Sequence, residues 1–254
     1  MTLKQILLLV AIAAGLAGCG KESDNLPGPN VNQAQPNLND PAILKKIAQE
    51  NQSANAQHGD PSAPLEKYQA LTSGKQLMYA YLAVSTLPVD FEKVAQVISP
   101  DYRSTQDEFK KRDLLQALQP GIQGEIEKAR NNRYYFIEFN ELPMVDKYDF
   151  SQHSFTVFPL KQSGYRHFNE ASSYGFGFSN TQAFSSLKVA DENVARTIEG
   201  LRNKNPNFAF GDKQGLRLAV YFFANDTELG ETKLKAEIMH IRLLDQKGSV
   251  LAER

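Results

Sequence analysis

The sequence predicts an α+β domain, with N-terminal helices followed by a mainly antiparallel β-sheet and one further packed helix. Two observations carry this prediction. Between Lys75 and Arg130, apolar residues recur at helical spacing behind capping residues. From Arg133 onward the apolar period shortens to two, interrupted once by a helical stretch after Asp191. Helices first and strands afterwards is the order of a segregated α+β fold, not of alternating βαβ units.

Lys75 to Thr86 is apolar on most sides and reads as a buried helix. Asp90 caps a second one, with Phe91, Val94, Ala95 and Ile98 on one stripe. Thr105 to Arg130 carries Phe109, Leu114, Leu115, Leu118, Ile122 and Ile126, and Pro120-Gly121 is expected to kink or split it. Arg133 to Phe139 alternates as a strand does. Ser154–Leu160, Ser172–Ser179 and Phe184–Val189 read as further strands. Asp191 then caps a helix bearing Val194, Ile198 and Leu201. Leu216–Phe223, Leu234–Leu244 and Ser249–Ala252 close the sheet, with Gly248 placed where a tight turn needs positive φ. The apolar phase shifts between Ile238 and Ile241, which predicts a bulge at Met239-His240.

Ahead of the domain, Lys4 is followed by an uncharged stretch from Ile6 to Gly18. It is shorter than the roughly 20 residues of a bilayer span and suits a signal peptide. Leu16-Ala17-Gly18-Cys19 resembles the lipobox of bacterial lipoproteins, and Cys19 is the one cysteine of the chain. The resemblance implies cleavage after residue 18, acylation of Cys19 and a membrane anchor. The alternative is an uncleaved apolar segment with an incidental cysteine. In lipoproteins of this kind an Asp after the cysteine resembles an inner-membrane retention signal. Residue 20 is Gly, so the implied location is the outer membrane, facing the periplasm. Residues 19–64 are expected to be a flexible tether, since 20–64 lack aromatics and are rich in Asn, Gln, Pro and Ala. Residues 65–254 form the single domain.

Composition removes several function classes. Without Lys4 the chain has 27 basic residues against 29 acidic ones, with no basic cluster suited to a phosphate backbone, so no nucleic-acid partner is expected. An acylated Cys19 leaves no thiol for disulfides, nucleophilic catalysis or zinc–thiolate sites.

Tyr148-Asp149-Phe150, Phe176-Gly177-Phe178-Ser179-Asn180, Leu216–Ala224 and Ala236–Glu253 resemble uncharacterised bacterial envelope proteins grouped as a domain of unknown function. The likeness spans about residues 75 to 253. It implies a recurring module and carries no catalytic signature.

The chemistry-bearing residues are sparse. His153 and His167 flank an aromatic strand, with Asp146, Asp149 or Glu170 as third ligands, but no His-Glu-x-x-His spacing puts them on one face. His58 falls in the tether and His240 in the bulged strand. Ser185-Ser186-Leu187-Lys188 matches Ser-x-x-Lys, a pattern that needs a helix where the local reading is a strand. The acidic run Asn225–Glu231 lacks a calcium-loop register and reads as a solvated hairpin loop. Glu138, Glu141 and Glu170 lie beside aromatics and are the carboxylates a glycan hydrolase would use. No catalytic residue, metal or cofactor is expected.

Lys161 to Ser186 is the least ordinary segment: it has no Val, Ile, Leu or Met but carries six aromatics. Most of these rings are expected to line a sheet face. Tyr165-Arg166-His167-Phe168 reads as a partly exposed loop and a partner-binding surface, since aromatics and Arg dominate interface hot spots. The sequence therefore points to an anchored, non-enzymatic module binding an envelope protein or small ligand. The alternatives are an envelope hydrolase acting on cell wall or glycan, and a passive structural lipoprotein.

Overall fold

The computed structural model describes residues 57–140, 143–161, 164–203, 215–228 and 230–254, all within one compact unit, Leu38–Arg254. Residues 1–56, on which the expected leader, Cys19 and most of the expected tether fall, and Glu141 lie outside the described residues. No helix among those described is long and apolar enough to cross a membrane.

Each early helix starts where a side chain can satisfy its free N–H groups. Ser73 opens α1 (Gly74–Val84) by accepting from Gln76 N. Asp90 opens α2 (Phe91–Ile98) by accepting from Lys93 N at 3.1 Å. Ser99 and Pro100 start a short α3 (Pro100–Ser104), which the periodicity had not separated. Asp107 accepts from Phe109 N and Lys110 N and opens α4 (Glu108–Asn131). This helix passes through Pro120 unbroken, so of the expected kink or split the split does not occur. Pro120 and Gln116 are both exposed. The Gln116 carbonyl, deprived of its partner by the proline, therefore faces water.

The strands are β1 (Gln69–Ala70), β2 (Tyr134–Phe139), β3 (Val145–Asp149), β4 (Ser154–Val157), β5 (Gly175–Phe178), β6 (Ser186–Lys188), β7 (Leu216–Thr227), β8 (Lys233–Asp245) and β9 (Val250–Glu253). The large sheet has the order β1-β2-β7-β8-β5, and β9 also pairs with β8. The β1–β2 and β5–β8 pairs are parallel and the others antiparallel. A smaller antiparallel sheet has the order β3-β4-β6. One helix, α5 (Glu192–Asn203), follows β6. The fold is α+β with mostly antiparallel pairing.

Several strands are shorter than the alternation suggested. β4 stops at Val157 and gives way to a helical turn at Phe158–Lys161, where Pro159 has no N–H to donate to a ladder. A second turn, Thr181–Phe184, takes the place of the start of the expected fourth strand. β3 was not foreseen as an element. The expected bulge is present: Tyr221 pairs with His240 and Phe222 with Ile238, leaving Met239 as the extra residue. Met239 thereby swings to the opposite face, while Ile241 and Leu243 rejoin Ile238 in the core. Gly248 has φ 90° in the β8–β9 turn.

Two covers bury one face of the large sheet. α1, α2 and α4 bring Leu77, Met78, Val94, Ile122 and Ile126 onto Tyr135, Phe176 and Phe222. The small sheet and α5 bring Phe155, Leu187 and Ile198 onto Leu216, Val220 and Ile241. On the opposite face lie Tyr134, Phe223 and Met239, and the chain from Gln57 crosses them. Ala63 and Tyr68 are buried there, and Asp60 N donates to Tyr134 Oη at 2.8 Å. A Cβ on Gly59 would stand 2.6 Å from that of Phe223. Packed structure therefore begins ahead of Leu65.

Candidate functional site

An apolar groove beside exposed charge lies between β3 and α5. Its lining includes Lys147, Tyr148, Phe150, Arg196, Glu199 and Arg202, and its volume is about 430 Å³. The sequence builds it in two steps. Asp149 ends β3 by accepting from Ser151 N, Ser151 Oγ and Gln152 N, and His153 completes the turn at φ 48°. These donors, with the Ser151 hydroxyl foremost, hold the Asp149 carboxyl below its usual range. The turn leaves Phe150 at its tip, 77 % exposed. Across the groove, Asp191 accepts from Asn193 N at 2.8 Å and starts α5. The buried stripe of that helix, Ala195 and Ile198, faces the core.

Glu199 joins the two walls. One of its carboxylate oxygens accepts the Tyr148 N–H at 2.7 Å. The other accepts from Arg202 Nε at 3.0 Å and Nη2 at 2.8 Å. An edge-strand amide is thus satisfied by a helix side chain, and the arginine satisfies the carboxylate in turn. Tyr148 Oη donates to the Val189 carbonyl at 2.8 Å, fixing the ring that forms the floor. The Phe150 ring stands edge-on to it, centroids 5.0 Å apart. The walls are held; the ring at the tip is not covered.

The expected partner loop divides. Tyr165 and His167 are exposed, whereas Arg166 and Phe168 are half-buried. Arg166 exchanges both backbone hydrogen bonds with Phe176, and its guanidinium lies over the Phe139 ring and donates to the Pro159 carbonyl. Phe168 packs on the helical core. Tyr165 Oη donates to Glu228 at 3.0 Å. Burial, and then that carboxylate, push the phenol up to about 12.

The other chemistry-bearing residues have structural engagements. Glu138 pairs with Arg217 at 2.8 Å, and Glu170 accepts the Gly74 N–H at the start of α1. His153 lies 3.4 Å from Tyr148 Oη, and His58 pairs with Glu237. Among the described residues no three His, Cys, Asp or Glu side chains gather as a metal site. Ser186 and Lys188 lie in a strand, and Ser185 Oγ donates to the Gln182 carbonyl. Glu228 pairs with Lys235 at 3.2 Å beside the β7–β8 connection.

Lys147 and Arg196 were not singled out by the sequence, and Phe150 only as part of the Tyr148-Asp149-Phe150 resemblance, not as a site residue. The signal was present: Asp149 followed by Ser151-Gln152 is turn chemistry, and an aromatic inside a turn has no strand face to hide on. Comparison with known protein families, characterised proteins and solved structures gives no match to this chain.

Proposed function

We propose that this is an outer-membrane lipoprotein, anchored through Cys19, whose domain is a non-enzymatic binding module working through the β3–α5 groove. The observation that carries the reading is Phe150, a phenyl ring left in water on the rim of a groove whose floor and walls are already fixed. Burying such a ring is worth about 1.5–3 kcal/mol, which a partner recovers by covering it. The groove's volume falls within the range of ligand pockets, roughly 300–1,000 Å³. Prefixed walls lower the ordering cost of binding. The lipobox resemblance and the single cysteine support the anchor.

Two measurements test this. Cells grown on labelled palmitate should label the wild-type chain and not Cys19→Ser; equal labelling removes the anchor. A photo-crosslinking residue at position 150 should capture a discrete adduct in cells, and its absence removes the groove.

A further inference from the structure

We infer that the ligand of this groove is a small apolar monocarboxylate, an inference that rests on the groove being the binding surface. The argument is one of charge. The lining holds the cations Lys147, Arg196 and Arg202 against the anions Glu192 and Glu199. Both anions are spoken for on their own helix. Glu199 holds Arg202 and the Tyr148 N–H, and Glu192 meets Arg196 at 3.4 Å. The Glu192–Arg196 pair is solvent-exposed and hence weak, so Arg196 can turn to a stronger partner at little cost. Lys147 makes no ion pair among the described residues. The neighbouring acids do not supply one. Asp146 accepts the Lys147 backbone N–H, and Asp149 is turned onto Ser151 and Gln152.

The groove thus has one cation in excess beside an apolar floor of Tyr148 and Ala195 and an uncovered Phe150 ring. That combination selects a single negative charge on an apolar body. A phosphate monoester brings about −1.5 to −2 charges and overshoots. A carboxylate matches the excess and suits the planar fork of Arg196 together with the Lys147 ammonium. The apolar body covers Phe150, with 430 Å³ to occupy.

The test uses the full acylated chain in lipid nanodiscs, titrated calorimetrically with 4-phenylbutyrate, 4-phenylbutanol and 4-phenylbutylamine, with empty nanodiscs as blank. The acid should bind up to about fivefold tighter than the alcohol, the most that a solvent-exposed ion pair of about 1 kcal/mol contributes, and the amine more weakly still. Lys147→Met should abolish the acid's advantage while leaving the alcohol's affinity and the melting temperature unchanged. Phe150→Ala should weaken acid and alcohol alike. Equal binding of all three probes, or an acid advantage that survives Lys147→Met, overturns the inference. A discrete adduct from position 150 in cells, combined with no acid preference, overturns the ligand class while leaving the binding module standing. Loss of both removes the module as well.

Discussion

Under the helices, Phe176 and Phe222 stack 5.9 Å apart and each is at most 1 % exposed. Under the small sheet, Phe155 is equally buried and Tyr148 nearly so, yet Phe150, two residues further on, stands in water. The two covers share one sheet face and similar chemistry. They differ in how they end. The helical cover is closed by side chains from three helices. The small-sheet cover ends in a turn whose polar residues bond to one another and carry a ring past the edge of the core. Aromatic content alone therefore does not set exposure; local turn geometry that holds a ring away from the core does.

The sharpest way to break this comparison is to disturb each cover separately. Phe222→Ala should cost about 3–5 kcal/mol, since its contacts reach Phe176, Phe178 and Tyr135 and the cavity cannot collapse. Chemical denaturation measures this, and a loss below 1 kcal/mol would mean that the helical cover is loose. Glu199→Ala comes next, at about 1–3 kcal/mol, because it strands the Tyr148 N–H and the Arg202 guanidinium together. Hydrogen exchange should then rise in β3 and α5 and leave α1 unchanged. Uniform exchange across both covers would contradict the idea that they are separately held. Asp90→Ala, which removes the α2 cap, should cost about 1 kcal/mol, confined to the helical side.

Acid should act on both covers through their carboxylates. Asp90 is held below 3.8 chiefly by the Lys93 N–H, Asp149 chiefly by the Ser151 hydroxyl, and Asp245 chiefly by the Ser249 N–H. A carboxyl held low in the folded state adds stability above its unfolded value, and this is lost as pH falls through the folded one. The melting temperature should therefore be level above about pH 5 and drop below about pH 4. Asp149→Asn should make that drop shallower. An unaltered acid slope would show that the turn bonds contribute nothing.

Much of the fold was legible in the residues. Asp90, Asp191, Gly248 and the phase shift at Met239 each signal a cap, a turn or a bulge through purely local chemistry, and the structure has those features in place. Pro120 does not split its helix, because its effect depends on which side of the helix faces water, a tertiary fact. The aromatic segment 161–186 drew attention to Tyr165–Phe168, but Arg166 and Phe168 are engaged by Phe139, Phe176 and the helical core, partners distant in sequence or on other elements. The groove was hidden for the same reason. Lys147 and Arg196 are 49 positions apart, and it takes the tertiary structure, through the Glu199–Tyr148 bond and the shared core, to bring β3 beside α5.

Phe150 and Phe109 offer a matched pair on which to rest the central claim. They are 77 % and 73 % exposed, but only Phe150 lines the groove; Phe109 lies at the start of α4 beside Arg112. Neither ring is buried, so replacing either should shift stability by no more than about 0.5 kcal/mol. With a photo-crosslinking residue at each position in turn, in the full chain and in living cells, position 150 should give a discrete adduct. Position 109 should give none. Equal capture from both positions, or capture from 109 alone, would contradict the assignment of binding to the β3–α5 groove.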